Sequence, residues 1–227
     1  MTQKQLIELV QQHHPDIGET ELRLALNRAK DDFCAKTEII TANWTQNSVA
    51  GQRYYSINDA ILRIKDVQVN DVSISRLVGK PIIDDDEFDG ASGLTASGTT
   101  SNERFWYVDG QRLGLVEKRA SAVSREGVSS DYQSISEIKE IRITAISKDA
   151  DFTSDLTETG SIPTQFQEAL VQKVISELML RQGSSSFNPQ LSEIFSAKYA
   201  VVVKDAKSYA RDGKINSGSA IIVPTDF

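Results

Sequence analysis

The sequence of 227 residues holds one cysteine, two histidines and five prolines, and each shortage removes a class of protein. A single Cys34 allows no intrachain disulfide and no paired-cysteine zinc or redox motif. His13 and His14 are the only imidazoles, and they are adjacent. Long apolar runs are missing too. The longest, Tyr199-Ala200-Val201-Val202-Val203, falls far short of the roughly 20 residues of a transmembrane helix, so no membrane span is expected. Met1-Thr2-Gln3-Lys4-Gln5-Leu6 lacks the apolar core, roughly 7–15 residues long, of a secretory signal. Positive charge is also short, at 25 Lys and Arg against 32 Asp and Glu, net -7. That argues against a sequence-independent grip on nucleic acid, which needs Lys and Arg on phosphates. What is there, 39% hydrophobic and 25% charged residues, describes a cytosolic globular chain of one large or two small domains.

Helical periodicity marks both ends of the chain. Thr2 and Gln5 have the form of a capping box, and Leu6, Leu9, Val10 and His13 share a face until Pro15. Asp16 and Glu19 repeat the capping logic ahead of a Leu22, Ala25, Leu26, Ala29, Phe33 stripe that runs to about Lys36. Near the other end Pro163 opens a helix with Phe166, Leu170, Val174 and Leu178 at steady spacing, stopped by Gly183. Asn188-Pro189 starts another, lined by Leu191, Phe195, Val202, Ala206 and Tyr209, with Gly213 as its stop.

Between these helix pairs the period changes to two. Tyr55 and Ile57 mark a short strand, and Val67 and Val69 face Val72 and Ile74 across Asn70-Asp71. Arg104 to Val108 and Arg112 to Val116 flank Asp109-Gly110, a strong hairpin signal. Ile141, Ile143 and Ala145 form a last strand. Two polar stretches, 84–102 and 121–136, read as long loops facing a neighbouring molecule or another structure they contact. The expected fold is α+β: a helical bundle from the N- and C-terminal helices, an inserted small antiparallel β domain and an extended C-terminal tail. Its segments are 1–45 and 156–212 for the bundle, 46–155 for the β domain and 213–227 for the tail.

No catalytic constellation emerges. The histidines sit at a helix end before Pro15 as partly exposed polar residues, and Cys34 follows Phe33 on the buried side of its helix. Laid on a calcium loop, Asp85, Glu87, Asp89 and Gly90 fall at positions 1, 3, 5 and 6, but position 12 is Ala96 instead of Glu. Gly79-Lys80 is followed by Pro81, so no phosphate loop forms. Phe105-Trp106-Tyr107 has no basic stripe beside it and reads as core packing. No enzymatic activity, metal or cofactor is expected.

The order of parts resembles a known family. It comprises the N-terminal helix pair, Gln52-Arg53-Tyr54-Tyr55-Ser56-Ile57, the strand from Leu62 to Asn70, and Phe105-Trp106-Tyr107-Val108-Asp109-Gly110-Gln111-Arg112-Leu113-Gly114-Leu115. Ile162-Pro163 then opens a helix with Phe166, Ala169 and Leu170, and a helix with Tyr199, Lys204 and Lys207 follows. This resembles the head-to-tail adaptor, or connector, proteins of tailed bacteriophages. The resemblance implies a virion neck protein whose copies, twelve as a rule, form a ring linking the portal to the tail or nozzle. Twelve copies at -7 each make an acidic lumen through which DNA passes without specific binding. A tail or baseplate accessory protein, and a ligand- or glycan-binding β module on a helical stalk, are the alternative readings. The C-terminal residues Ile221, Ile222, Val223, Pro224 and Phe227 are expected to dock on the portal, since three consecutive β-branched residues beyond a polar spacer call for a partner.

Overall fold

The computed structural model describes residues 1–81, 103–125, 128–135, 137–181 and 187–217. The acidic run 84–89, the Ser/Gly tract 90–102, Gly183 and the residues from 218 onward lie outside them. The chain divides into two compact units, one of Met1–Thr41 with Ile146–Phe227 and one of Ala42–Ala145.

The first unit is helical. In α1 (Gln3–Gln11) the capping box is present, with Gln5 N–H donating to Thr2 Oγ1 at 3.3 Å and Thr2 N–H to Gln5 Oε1 at 2.9 Å. Leu6, Ile7 and Val10 are its buried face. Helix α2 (Glu19–Thr37) buries Leu22, Leu26, Ala29 and Phe33. Its N-cap is Gly18 with no side-chain hydrogen bond, so the expected Asp16 cap is not formed. Glu19 and Glu21 instead place negative charge at the positive end of the helix dipole. Glu38, at φ 55°, ends the helix in the left-handed region, its N–H donating to Cys34 O at 2.9 Å.

A 3₁₀ turn, Thr164–Phe166, leads into α3 (Glu168–Met179). Ala169, Leu170, Val171, Val174, Ile175, Leu178 and Met179 are all buried, as a helix packed against three others must be. Those others are α1, α2 and α4. Helix α4 (Pro189–Ser217) starts as expected, Leu191 N–H donating to Asn188 Oδ1 at 3.1 Å. Gly213 does not end it. The helix continues to Ser217, because one glycine in a helix costs only about 1 kcal/mol relative to alanine. Its buried side is Tyr199, Val203, Ala206 and Ala210, while Tyr209 is half-exposed and meets Phe166 edge-on. One apolar core joins all four helices, from Leu6 and Leu26 through Leu170 to Val203.

The second unit is two small sheets. One has the order β1 (Thr41–Asn47), β9 (Glu140–Ser147), β3 (Ile61–Val69), β4 (Val72–Ser73). The other has the order β2 (Tyr54–Ser56), β7 (Arg112–Arg125), β6 (Arg104–Asp109), β5 (Ser75–Arg76), with β8 (Val128–Ser134) also on β7. Their shared core holds Ile64, Val67, Trp106, Leu113, Leu115, Ile141 and Ile143. Asn70 and Asp71, at φ 51° and 61°, make the tight turn between β3 and β4, where Val69 pairs with Val72. The second hairpin turns one residue later than Asp109-Gly110. Asp109 pairs with Arg112, and Gly110, at φ 59°, takes the first corner.

Three expectations change in this unit. β1 was not foreseen. The described part of 121–136 is strand and not loop, since β7 runs to Arg125 and β8 returns along it with a register shift between Lys118 and Val123. The pairing is also not wholly antiparallel, because β5 runs parallel to β6.

Candidate functional site

A fifteen-residue stretch without regular strands, 148–162, runs over the helical unit like a strap. One row of α2 holds it. Arg23 donates to Thr153 O at 3.2 Å, and Asn27 exchanges hydrogen bonds with Phe152 O and N at 3.2 and 2.8 Å. Lys30 Nζ donates to Ala150 O, sits 3.2 Å from Asp149 Oδ2 and lies over the Phe152 ring. The Asp149 carboxylate also accepts from Ala150 and Ser161 N–H at 3.0–3.1 Å. The strap in turn serves α1. Its Glu158 and Leu156 carbonyls accept the Gln3 and Lys4 amides at 2.8 and 3.1 Å, two of the donors that a helix start leaves without partners. The arrangement is a structural clamp: the Arg23, Asn27, Lys30 and Asp149 side chains are all spent on holding this stretch to α2 and closing it on itself.

Candidate catalytic groups do not converge. His14 is buried, contrary to the expectation of a partly exposed helix end, because it lies against α3, where its ring meets the Ile175 backbone. Burial, then the charge of His13, lowers the His14 pKa, so its ring is neutral at pH 7. His13 meets Phe195 edge-on at 5.3 Å. Cys34 is fully buried and its thiol is pushed up to about 11 by that burial, so it carries no thiolate at neutral pH. Burial would also raise Asp32, but hydrogen bonds from Lys36 Nζ at 2.7 Å and Tyr199 Oη at 2.8 Å hold it below the usual carboxylate range. Among the described residues, no three His, Cys, Asp or Glu are placed to hold a metal.

The aromatic run serves the β core. Trp106 is buried with its indole N–H on Ile74 O at 3.1 Å, and Tyr107 is buried over Gly114. Phe105 meets Tyr132 edge-on. What the β unit does present is an open sheet margin. β1 closes one side of its sheet with no further strand beyond it among the described residues. Alongside lies a groove of about 240 Å³ between Trp44, Thr45 and Gln46 on one side and Ser56, Ile57 and Ile61 on the other. The tail residues Ile221, Ile222, Val223, Pro224 and Phe227 fall outside the described residues.

A protein-family model described as SU10 adaptor protein matches residues 1–219. The chain belongs to that family. The adaptor is therefore a phage structural protein of the virion, working through contacts with other virion proteins, in a family that is generally non-enzymatic. No curated protein matches it in sequence. No helix among the described residues is long and apolar enough to cross a membrane. Sequence reasoning missed the β1 edge, for which no alternating apolar pattern gave a signal, and the strap, whose partners Arg23, Asn27 and Lys30 follow an i, i+4, i+7 row visible only once α2 is in place.

Proposed function

We propose that this adaptor works as a head-to-tail connector: twelve copies form a ring that joins the portal to the tail or nozzle, and DNA leaves through its lumen. The family match over residues 1–219 carries this reading. The net charge of -7 per copy supports it, since an acidic wall repels phosphate and lets DNA slide. Each copy then meets the next through two different surfaces, as a heterologous contact that closes into a ring requires. Residues Ile221, Ile222, Val223, Pro224 and Phe227 serve as the arm that docks on the portal. Native mass spectrometry and particle images of the adaptor assembled with portal test the proposal. A ring travelling with the portal is the expected result. Monomers or two-fold dimers alone in the assembled material refute it.

A further inference from the structure

The buried rows of the β unit run out into the open at one end. On β6, Trp106 lies in the core, while Val108, two residues on and on the same face, is 39% exposed. On β3, Ile64 lies in the core, while Leu62 on its face is 41% exposed. All four line one cleft of about 400 Å³, together with Ile57, Asn58 and Asp59 from the loop ahead of β3. Hydrogen bonds hold that loop in place. Ile57 N–H donates to Gln111 O at 3.1 Å, and Ala60 and Ile61 N–H donate to Asn58 Oδ1 and O, both at 2.8 Å. The cleft is therefore formed before anything enters it, and it has the size of a ligand site, about 300–1,000 Å³.

It also holds a cation in reserve. Lys80 and Arg112 both pair with Asp109, at 3.3 and 3.5 Å. Arg76, on the cleft lining, makes no ion pair among the described residues. Its guanidinium lies over the Trp106 ring, 5.2 Å from the centroid, and its backbone is in register with Trp106 across β5 and β6. The indole is itself fixed, its N–H on Ile74 O at 3.1 Å. A guanidinium laid flat on an aromatic face keeps its N–H edge for a carboxylate. Arg63 adds a second positive charge to the lining and Asp59 is the one acid in it, whereas acids outnumber cations 32 to 25 in the whole chain.

Nucleic acid fits this cleft poorly, since phosphates are gripped by rows of Lys and Arg and much of the lining is aliphatic or aromatic. A protein segment fits it well. An apolar side chain answers Leu62 and Val108, and an acid answers Arg76 in a charge-assisted hydrogen bond. We propose that the cleft between β3 and β6 docks an extended segment of another virion protein, an apolar side chain seated between Leu62 and Val108 and a neighbouring Asp or Glu carboxylate on the Arg76 guanidinium. This rests on the family membership and is independent of the ring reading.

Selection of short random peptides against the full-length adaptor tests it, with the Arg76→Gln variant as a parallel target. The expected peptides carry Asp or Glu adjacent to, or one residue from, a large apolar residue. Fluorescence anisotropy of the best labelled peptide then measures affinity. Arg76→Gln is expected to weaken binding about tenfold or more. Val108→Asp, at the rim, weakens it as well, and Asp59→Asn tightens it about twofold by removing a like charge. All three positions are exposed, and thermal melting confirms that each variant folds. Absence of the acidic and apolar motif, or an affinity that Arg76→Gln leaves unchanged, overturns the inference. So does a selected peptide that displaces one adaptor copy from another, which assigns the cleft to self-assembly. Binding seen only after the acids of 84–89 are changed to amides also overturns it, because the cleft then belongs to the same chain. None of these outcomes touches the ring reading, and loss of the ring reading leaves this inference standing.

Discussion

Replacing Lys30 by methionine is the sharpest test of the clamp. The Lys30 and Asp149 side chains are 1% and 2% exposed, with Nζ 3.2 Å from Oδ2. Methionine fills nearly the same space, so the Phe152 ring keeps its neighbour while the charge disappears. Breaking a buried pair by removing one partner costs about 3–5 kcal/mol, because the remaining charge stays buried. Asp149 keeps its hydrogen bonds from Ala150 and Ser161 N–H, which places the expected loss near the lower end, about 3 kcal/mol. For a chain of this size that is a fall in Tm of about 6–12 °C. Far-UV circular dichroism during heating, and urea titration at 25 °C, both follow the helical unit. Asp149→Leu and the double variant complete a cycle. Lys30→Met/Asp149→Leu is expected to lose less than the two single losses combined, since neither charge is then left alone. It does not return to the starting stability, because the Ser161 and Ala150 amides lose their acceptor. A Lys30→Met loss below about 1 kcal/mol, or additive single losses, refutes the account of a coupled, dry ion pair.

Gly114→Ala places a methyl group inside the Tyr107 ring. It is expected to cost about 1–3 kcal/mol, and retention of the wild-type urea midpoint counts against that packing. Asp32 is held below the usual carboxylate range, so it binds its proton less readily folded than unfolded. Its stabilising share is complete above the unfolded pKa and is lost as pH falls toward the folded one. Asp32→Asn should therefore flatten the acid limb of the stability–pH curve, and an unchanged limb contradicts this. Cys34, buried with its thiol pushed up to about 11, is expected to react with a disulfide reagent at pH 8 only after denaturant is added. Full labelling of the native protein within minutes overturns that.

The helices were legible because their chemistry is local. Leu22, Leu26, Ala29 and Phe33 keep a helical period whatever they pack against, and Thr2 with Gln5 announces the start of α1. The Asn70-Asp71 turn was equally plain, since few other residues tolerate two successive positive φ angles. β1 was hidden for the opposite reason. Its exposure pattern leaves Thr41, Asn43, Thr45, Gln46 and Asn47 in solvent, and a mostly exposed edge strand selects for no apolar alternation. The return of β8 along β7 was concealed by serine, which crowds 121–136 and has the composition of a loop. His14 was misjudged because its burial depends on α3, where Ile175 offers its backbone, a contact between residues far apart in sequence. The expected docking residues Ile221, Ile222, Val223, Pro224 and Phe227 lie outside the described residues.

The strap also orders events on the ribosome. α1 receives acceptors for its first amides from Leu156 and Glu158, and α1 and α2 bury their apolar faces on a core completed by α3 and α4. The strands of the β unit, by contrast, find all their strand partners between residues 41 and 147. During synthesis at about 5–20 residues per second, the first two helices emerge early and then wait on the order of 10 s for residues that arrive only after the whole β unit. The N-terminus therefore folds last, with Leu6, Val10, Leu22 and Phe33 uncovered in the interval. A nascent chain stalled where residues up to about 150 have just left the ribosomal tunnel is expected to resist protease across the β unit while α1 and α2 are still cut, and release to full length then closes them.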